Sequence, residues 1–147
     1  MRARQSIRSF IKLFIVCMLS CVLFALTACS TETPDERLRT ELRTVASWAA
    51  TVRKVGEDWQ GGRVQTGYTM KALEAPQAEL QQEGKTIAQD SAMPAAARTS
   101  AQQQIEKLRD AVAQMHAAVE RADAFAFAQA LNELDAAARP VRAFVNQ

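Results

Sequence analysis

The chain has 147 residues, with 18 Lys and Arg against 16 Asp and Glu, one His and three Cys. That allows one small domain and excludes a collagen-like chain, a long repeat array and a disulfide scaffold. A formal charge of +2 leaves no electrostatic footprint for nucleic acid.

The first segment is an export signal. Residues 1–12 carry Arg2, Arg4, Arg8 and Lys12 and no acidic residue, and the sixteen residues from Leu13 to Ala28 carry no charge. A basic stretch followed by an apolar one is the pattern of a secretory leader. The apolar run reaches the lower limit for a membrane span. However, polar Ser30-Thr31-Glu32-Thr33 follows, with no basic cluster to stop transfer. The run ends in Leu26-Thr27-Ala28-Cys29, which resembles the lipobox of bacterial lipoprotein signal peptides. The resemblance covers residues 1–30 only. It implies cleavage between Ala28 and Cys29, a diacylglycerol on the Cys29 thiol and a further acyl chain on its amine. More than one chain gives stable membrane attachment. Ser30 stands where enteric-type sorting uses Asp for inner-membrane retention, which implies the periplasmic leaflet of an outer membrane where the source has one.

The expected organisation is a leader over 1–28, a lipid-anchored tether over 29–33 and a helical domain over 34–147. Cys17 and Cys21 leave with the leader, so the mature domain has no free thiol and no disulfide. From Cys29 onward the chain has 119 residues, 14 basic and 16 acidic, for a net charge of −2. It holds 25 Ala but only 20 Leu, Ile, Val and Phe together. So thin an apolar supply raises the question of disorder. The low net charge and the abundance of Ala, Glu, Gln, Lys and Arg favour helix instead.

Four helices are predicted. Thr33-Pro34-Asp35-Glu36 reads as a start, with Thr33 as cap, Pro34 at the first position and Glu36 completing a capping box. Leu38, Leu42, Val45, Ala49, Val52 and Trp59 then fall in one arc at about 100° per residue. Trp48 lies on a line with Trp59 at its edge. Gly56 weakens the last turn and Gly61-Gly62 ends the helix. The second stretch, with Met70, Leu73, Leu80 and Ile87, contains Pro76 and is expected to kink. After a break at 90–94, with Pro94 in the first turn, the third stretch steps 4-3-4-3-4-3 through Ala101, Ile105, Leu108, Val112, Met115, Val119 and Ala122. Asp123 caps the fourth, which carries Phe127, Leu131, Leu134, Ala138, Val141 and Val145 and continues through Pro140 with a kink. No segment alternates with a period of two. The stretches are about 27, 23, 28 and 23 residues long, on the order of 35–40 Å each. The expected fold is all-α, an up-down-up-down four-helix bundle. The alternative is a three-helix bundle with residues 61–90 partly irregular.

Chemistry is sparse. His116 is the single His and lies about 60° from the centre of its helix stripe. A Ser or Cys nucleophile needs a base, and Cys29 is taken by lipid, so no catalytic residue is named and no enzyme activity is expected. His116 and Glu120 are two ligands at most. No Glu-x-x-His occurs for a carboxylate-bridged metal site, and structural zinc lacks Cys, so no metal is expected. Haem is the alternative ligand. A c-type site would need Cys-x-x-Cys-His, which is absent. A b-type site could pair His116 with Met70, whereas Met115 is adjacent to His116 and cannot face it across one haem. Glu106 and Asp110 read as a solvated face, with Arg109 able to pair with Glu106.

The tether sets the start of the first helix within roughly 15 Å of the bilayer. Alternating helix directions then bring Trp59, Arg63, Tyr68 and Phe125 to the far end. Phe125 falls about 160° from its helix stripe. Aromatics and Arg on a scaffolded end suit protein contact. The expected function is a non-enzymatic, membrane-anchored interaction or structural module whose partner is an envelope protein. A haem- or small-ligand-binding bundle is the alternative.

Overall fold

A computed structural model describes residues 33–147. The leader, Ala28, Cys29 and the tether up to residue 32 lie outside the described residues. Four helices follow: α1 (Pro34–Gln60), α2 (Thr66–Gln89), α3 (Ala95–Glu120) and α4 (Ala124–Val145). No strand occurs among the described residues. Each helix packs on its neighbours in sequence, α4 closes against α1, and α1 and α3 meet across the diagonal. The chain is therefore an all-α four-helix bundle.

Local chemistry sets the ends. Thr33 Oγ1 accepts the Glu36 amide at 3.2 Å while the Thr33 amide donates to Glu36 Oε2 at 2.9 Å. This is the capping box expected from the sequence. Those hydrogen bonds to Thr33, the backbone one first, hold the Glu36 carboxyl below its usual range. At the other end of α1 the Arg63 amide donates to Asp58 O at 2.8 Å and the Gly62 amide to Trp59 O at 2.9 Å. Gly62 has φ +67°. This is a Schellman close, which places a residue in the left-handed region just past the helix. Gly62 supplies that turn. A Cβ at exposed Gly61 would come within 2.8 Å of the Arg63 guanidinium, the far end of a flexible side chain that can give way.

Three details differ from the sequence reading. First, in α2 Met70 is only half-buried, while Thr69 and Pro76 join Leu73, Leu80 and Ile87 in the buried set; the helix runs unbroken through Pro76, so the four-helix reading holds and the three-helix alternative does not. Second, Pro94 is the cap of α3 and not a residue of its first turn. Third, Ala122 does not extend the α3 stripe. It is exposed with φ +52°. The Asp123 amide reaches back to Ala118 O at 2.9 Å, repeating the Schellman close with Ala in the glycine position. Asp123 then accepts the Ala126 amide at 2.9 Å and caps α4 as expected. α4 continues through Pro140 to Val145.

The core follows the predicted stripes, except that Leu131 and Val145 of α4 are only half-buried. Val45, Val52, Leu73, Leu80, Ile87, Ile105, Leu108, Val112, Met115, Val119, Phe127 and Leu134 are all buried. Gly56, far from merely weakening a turn, is buried against α3 and α4. A Cβ there would meet Met115 Cε of α3 at 2.9 Å and Phe127 Cζ of α4 at 3.2 Å. Residues 33–147 form one compact unit with its own core, which is what allows a domain to fold alone. We predict that residues 33–147, expressed alone, unfold in a single cooperative thermal transition. Ala122→Gly should raise its stability by about 0.5–1 kcal/mol by relieving the left-handed strain, and a lowered or unchanged midpoint would contradict this.

Candidate functional site

The end of the bundle where α1 gives way to α2 and α3 to α4 holds the four residues singled out for contact. They divide into two kinds. The Trp59 ring packs against Phe127 with centroids 4.5 Å apart, and its indole nitrogen faces Thr66 Oγ1 at 3.5 Å. Trp59 thus closes the core and is only half-exposed. Arg63 braces its own loop: its Nε donates to Asp58 Oδ1 at 2.7 Å, and its Nη2 to Glu57 O at 3.3 Å. Lys54 reaches the same Asp58 oxygen at 2.6 Å. Lys54 first and then Arg63 hold the Asp58 carboxyl below its ordinary range.

Tyr68 and Phe125 do neither. They are 62% and 74% exposed and are the large apolar side chains displayed by the described residues. Tyr68 borders an open groove with Ala50, Lys54, Val55 and Asp58 of α1. Phe125 stands in the first turn of α4. Helices α2 and α4 lie across the bundle and do not pack on each other, so the two aromatics occupy separate corners of one end. Trp48 is half-buried against the core, as is Trp59.

His116 is half-buried on α3 and lies close enough to Glu74 of α2 to act on its charge. Lys71 does so more strongly: its Nζ sits 2.7 Å from Glu74 Oε2, which lowers the Glu74 carboxyl and raises the Lys71 ammonium. Met115 is buried and Met70 half-buried. No group of three or more His, Cys, Asp or Glu side chains able to hold a metal ion occurs among the described residues. Arg109 pairs with Glu106 at 3.2 Å, as the spacing suggested.

One feature was not visible in the sequence. Glu83 of α2 is half-buried against Glu41 of α1, with Glu79 one turn away on its own helix. Burial is the largest influence, followed by its hydrogen bond and repulsion with Glu41, and together they push the Glu83 carboxyl up to about 7. A helical plot marks these acids as polar-face residues, and only the packing of α1 on α2 sets Glu41 against Glu83.

Comparison with known protein families, with curated proteins and with solved structures finds no match for this chain.

The Glu83 carboxyl is raised above its unfolded value near 4.5, so the neutral form is the one the fold favours. Its contribution is complete below pH 4.5 and is lost as pH rises through about 7. Glu83→Gln should therefore stabilise the domain at pH 8 by on the order of 1 kcal/mol, once solvent screening of a partly exposed group is allowed for. It should also flatten the fall in thermal midpoint between about pH 3.5 and pH 8, roughly one unit outside that window on either side. An unchanged pH profile in the variant would contradict the assignment.

Proposed function

We propose that this protein is a lipid-anchored, non-enzymatic envelope lipoprotein whose helical bundle docks to an envelope protein. The observation that carries the anchor is Leu26-Thr27-Ala28-Cys29, set behind a basic segment and a charge-free run. Thr33, the cap of α1, follows Cys29 after three intervening residues. The bundle supports a tethered module: no helix among the described residues is long and apolar enough to cross a membrane. Membrane attachment on this reading is the work of the lipid, and the helices are left to present a surface.

Tyr68 and Phe125 are the surface this reading favours. They stand at the end remote from Thr33, on helices whose core faces are already satisfied. Large exposed aromatics on a rigid scaffold provide contact area with little loss of rotamer freedom. Trp59 and Arg63, committed to the core and to the loop, position that end and do not contribute to its contacts.

Two variants test the proposal together. Cys29→Ala should move the protein out of the membrane fraction and abolish incorporation of labelled palmitate. The double change Tyr68→Ser with Phe125→Ser should leave fractionation and thermal midpoint unchanged but remove a crosslinked envelope protein seen with the unaltered chain. Membrane retention of Cys29→Ala would overturn the anchor. An unaltered crosslinking pattern in the double variant would overturn the docking surface.

A further inference from the structure

The face that α1 and α4 share carries Arg39, Arg43 and Arg53 of α1 and Arg139 and Arg142 of α4. Two contacts set the register of these helices. Near the start of α1, the Arg39 guanidinium carbon stands 5.8 Å from the centre of the Phe144 ring. Further along, Arg53 Nη1 lies 3.5 Å and Arg142 Nη2 3.9 Å from Asp135 Oδ1. Arg43, one turn on from Arg39, and Arg139, one turn on from Asp135, fall between those contacts, and both are exposed.

The acids of this face are committed elsewhere. Asp135 lies between Arg53 and Arg142, and Glu57 accepts from Arg53 Nε at 2.9 Å. Glu36, on which Arg39 acts, is hydrogen-bonded to Thr33. Asp35 stands in the first turn of α1, where the helix dipole favours it. Arg43 and Arg139 make no ion pair with any described residue. The opposite flank of α1 has the other sign: there Glu41 meets Glu83 of α2, with Glu79 close by. An anionic surface is therefore attracted by one flank of α1 and repelled by the other.

Position supplies the occupant. Thr33 lies four residues past Cys29, a reach of about 14 Å at full extension. Arg43 is ten residues beyond Thr33, about 15 Å along the helix. A bundle that leans toward its α1–α4 side brings Arg43 and Arg139 to the phosphates of the bilayer that holds the tether, and guanidinium suits phosphate oxygens. The tether also keeps this face at high local concentration, so a contact too weak to recruit a free domain is enough to orient a held one.

We propose that the α1–α4 face, through Arg43 and Arg139, docks onto the anionic phospholipid surface to which the chain is anchored. This rests on the lipid-anchored reading, which supplies the bilayer.

The test replaces the native lipid. Residues 33–147 are held by an N-terminal hexahistidine tag on vesicles containing a nickel-chelating lipid, in phosphatidylcholine with or without about one third phosphatidylglycerol. Each basic residue near an anionic surface is worth roughly fivefold. Phosphatidylglycerol should therefore tighten vesicle binding at least about tenfold, and 0.5 M salt should remove the gain. Arg43→Gln with Arg139→Gln should abolish the gain with the thermal midpoint unchanged. Lys107→Gln with Arg121→Gln, the same charge change on α3 and its C-terminal cap, should keep it. Equal binding to both vesicles would overturn the proposal. So would a gain that survives in the arginine pair variant, or one lost equally in both pairs. Because the tag stands in for the anchor, such a failure counts against the face alone, and the anchor is judged by Cys29→Ala.

Discussion

The bundle depends on close approach between helices that have few large side chains to spend. Only 20 Leu, Ile, Val and Phe serve the 119 residues from Cys29 onward, so four helices form one core from a single line of larger residues each, with Ala between them. Buried Ala49, Ala111, Ala118, Ala130 and Ala138 let the axes come together. Gly56 takes this furthest. Its missing side chain gives room to Met115, Phe127 and Leu131 and lets α1 and α3 touch across the diagonal. Close packing of small residues recovers dispersion contacts that a thin core would otherwise lack.

The same economy shapes both ends. Where α1 finishes, the space at Gly56 is filled by its neighbours, and Trp59 packs tilted against Phe127 to close the core. Where α1 starts, Ala97 and Ala101 are not filled, and a recess remains. Small residues thus do opposite things at the two ends, according to what faces them. The end closed by Trp59 displays Tyr68 and Phe125, whereas the other end keeps an open recess.

Much of this was legible in the sequence, for definite reasons. Period-3.6 stripes and side-chain caps are local signals, and Thr33, Glu36 and Asp123 act where they were expected to. The exposure of Phe125 followed from its angle alone. What was missed depends on non-local facts. Ala122 carries no mark of a left-handed turn, because the Schellman close forces that conformation on whatever residue stands there. Arg63 read as a contact residue at the far end, yet it is bound to Asp58 across its own loop. The opposition of Glu41 and Glu83 needs the register of α1 against α2, which no single helix reveals.

The central claim is that a folded helical module hangs from a lipidated Cys29. The most direct measurement is the intact mass of the protein extracted from membranes, with fragmentation of its N-terminal peptide. The account predicts a chain that begins at Cys29 and carries the added mass of a diacylglycerol and a further acyl group. A chain retaining residues 1–28, or one cleaved elsewhere with an unmodified Cys29, would contradict it.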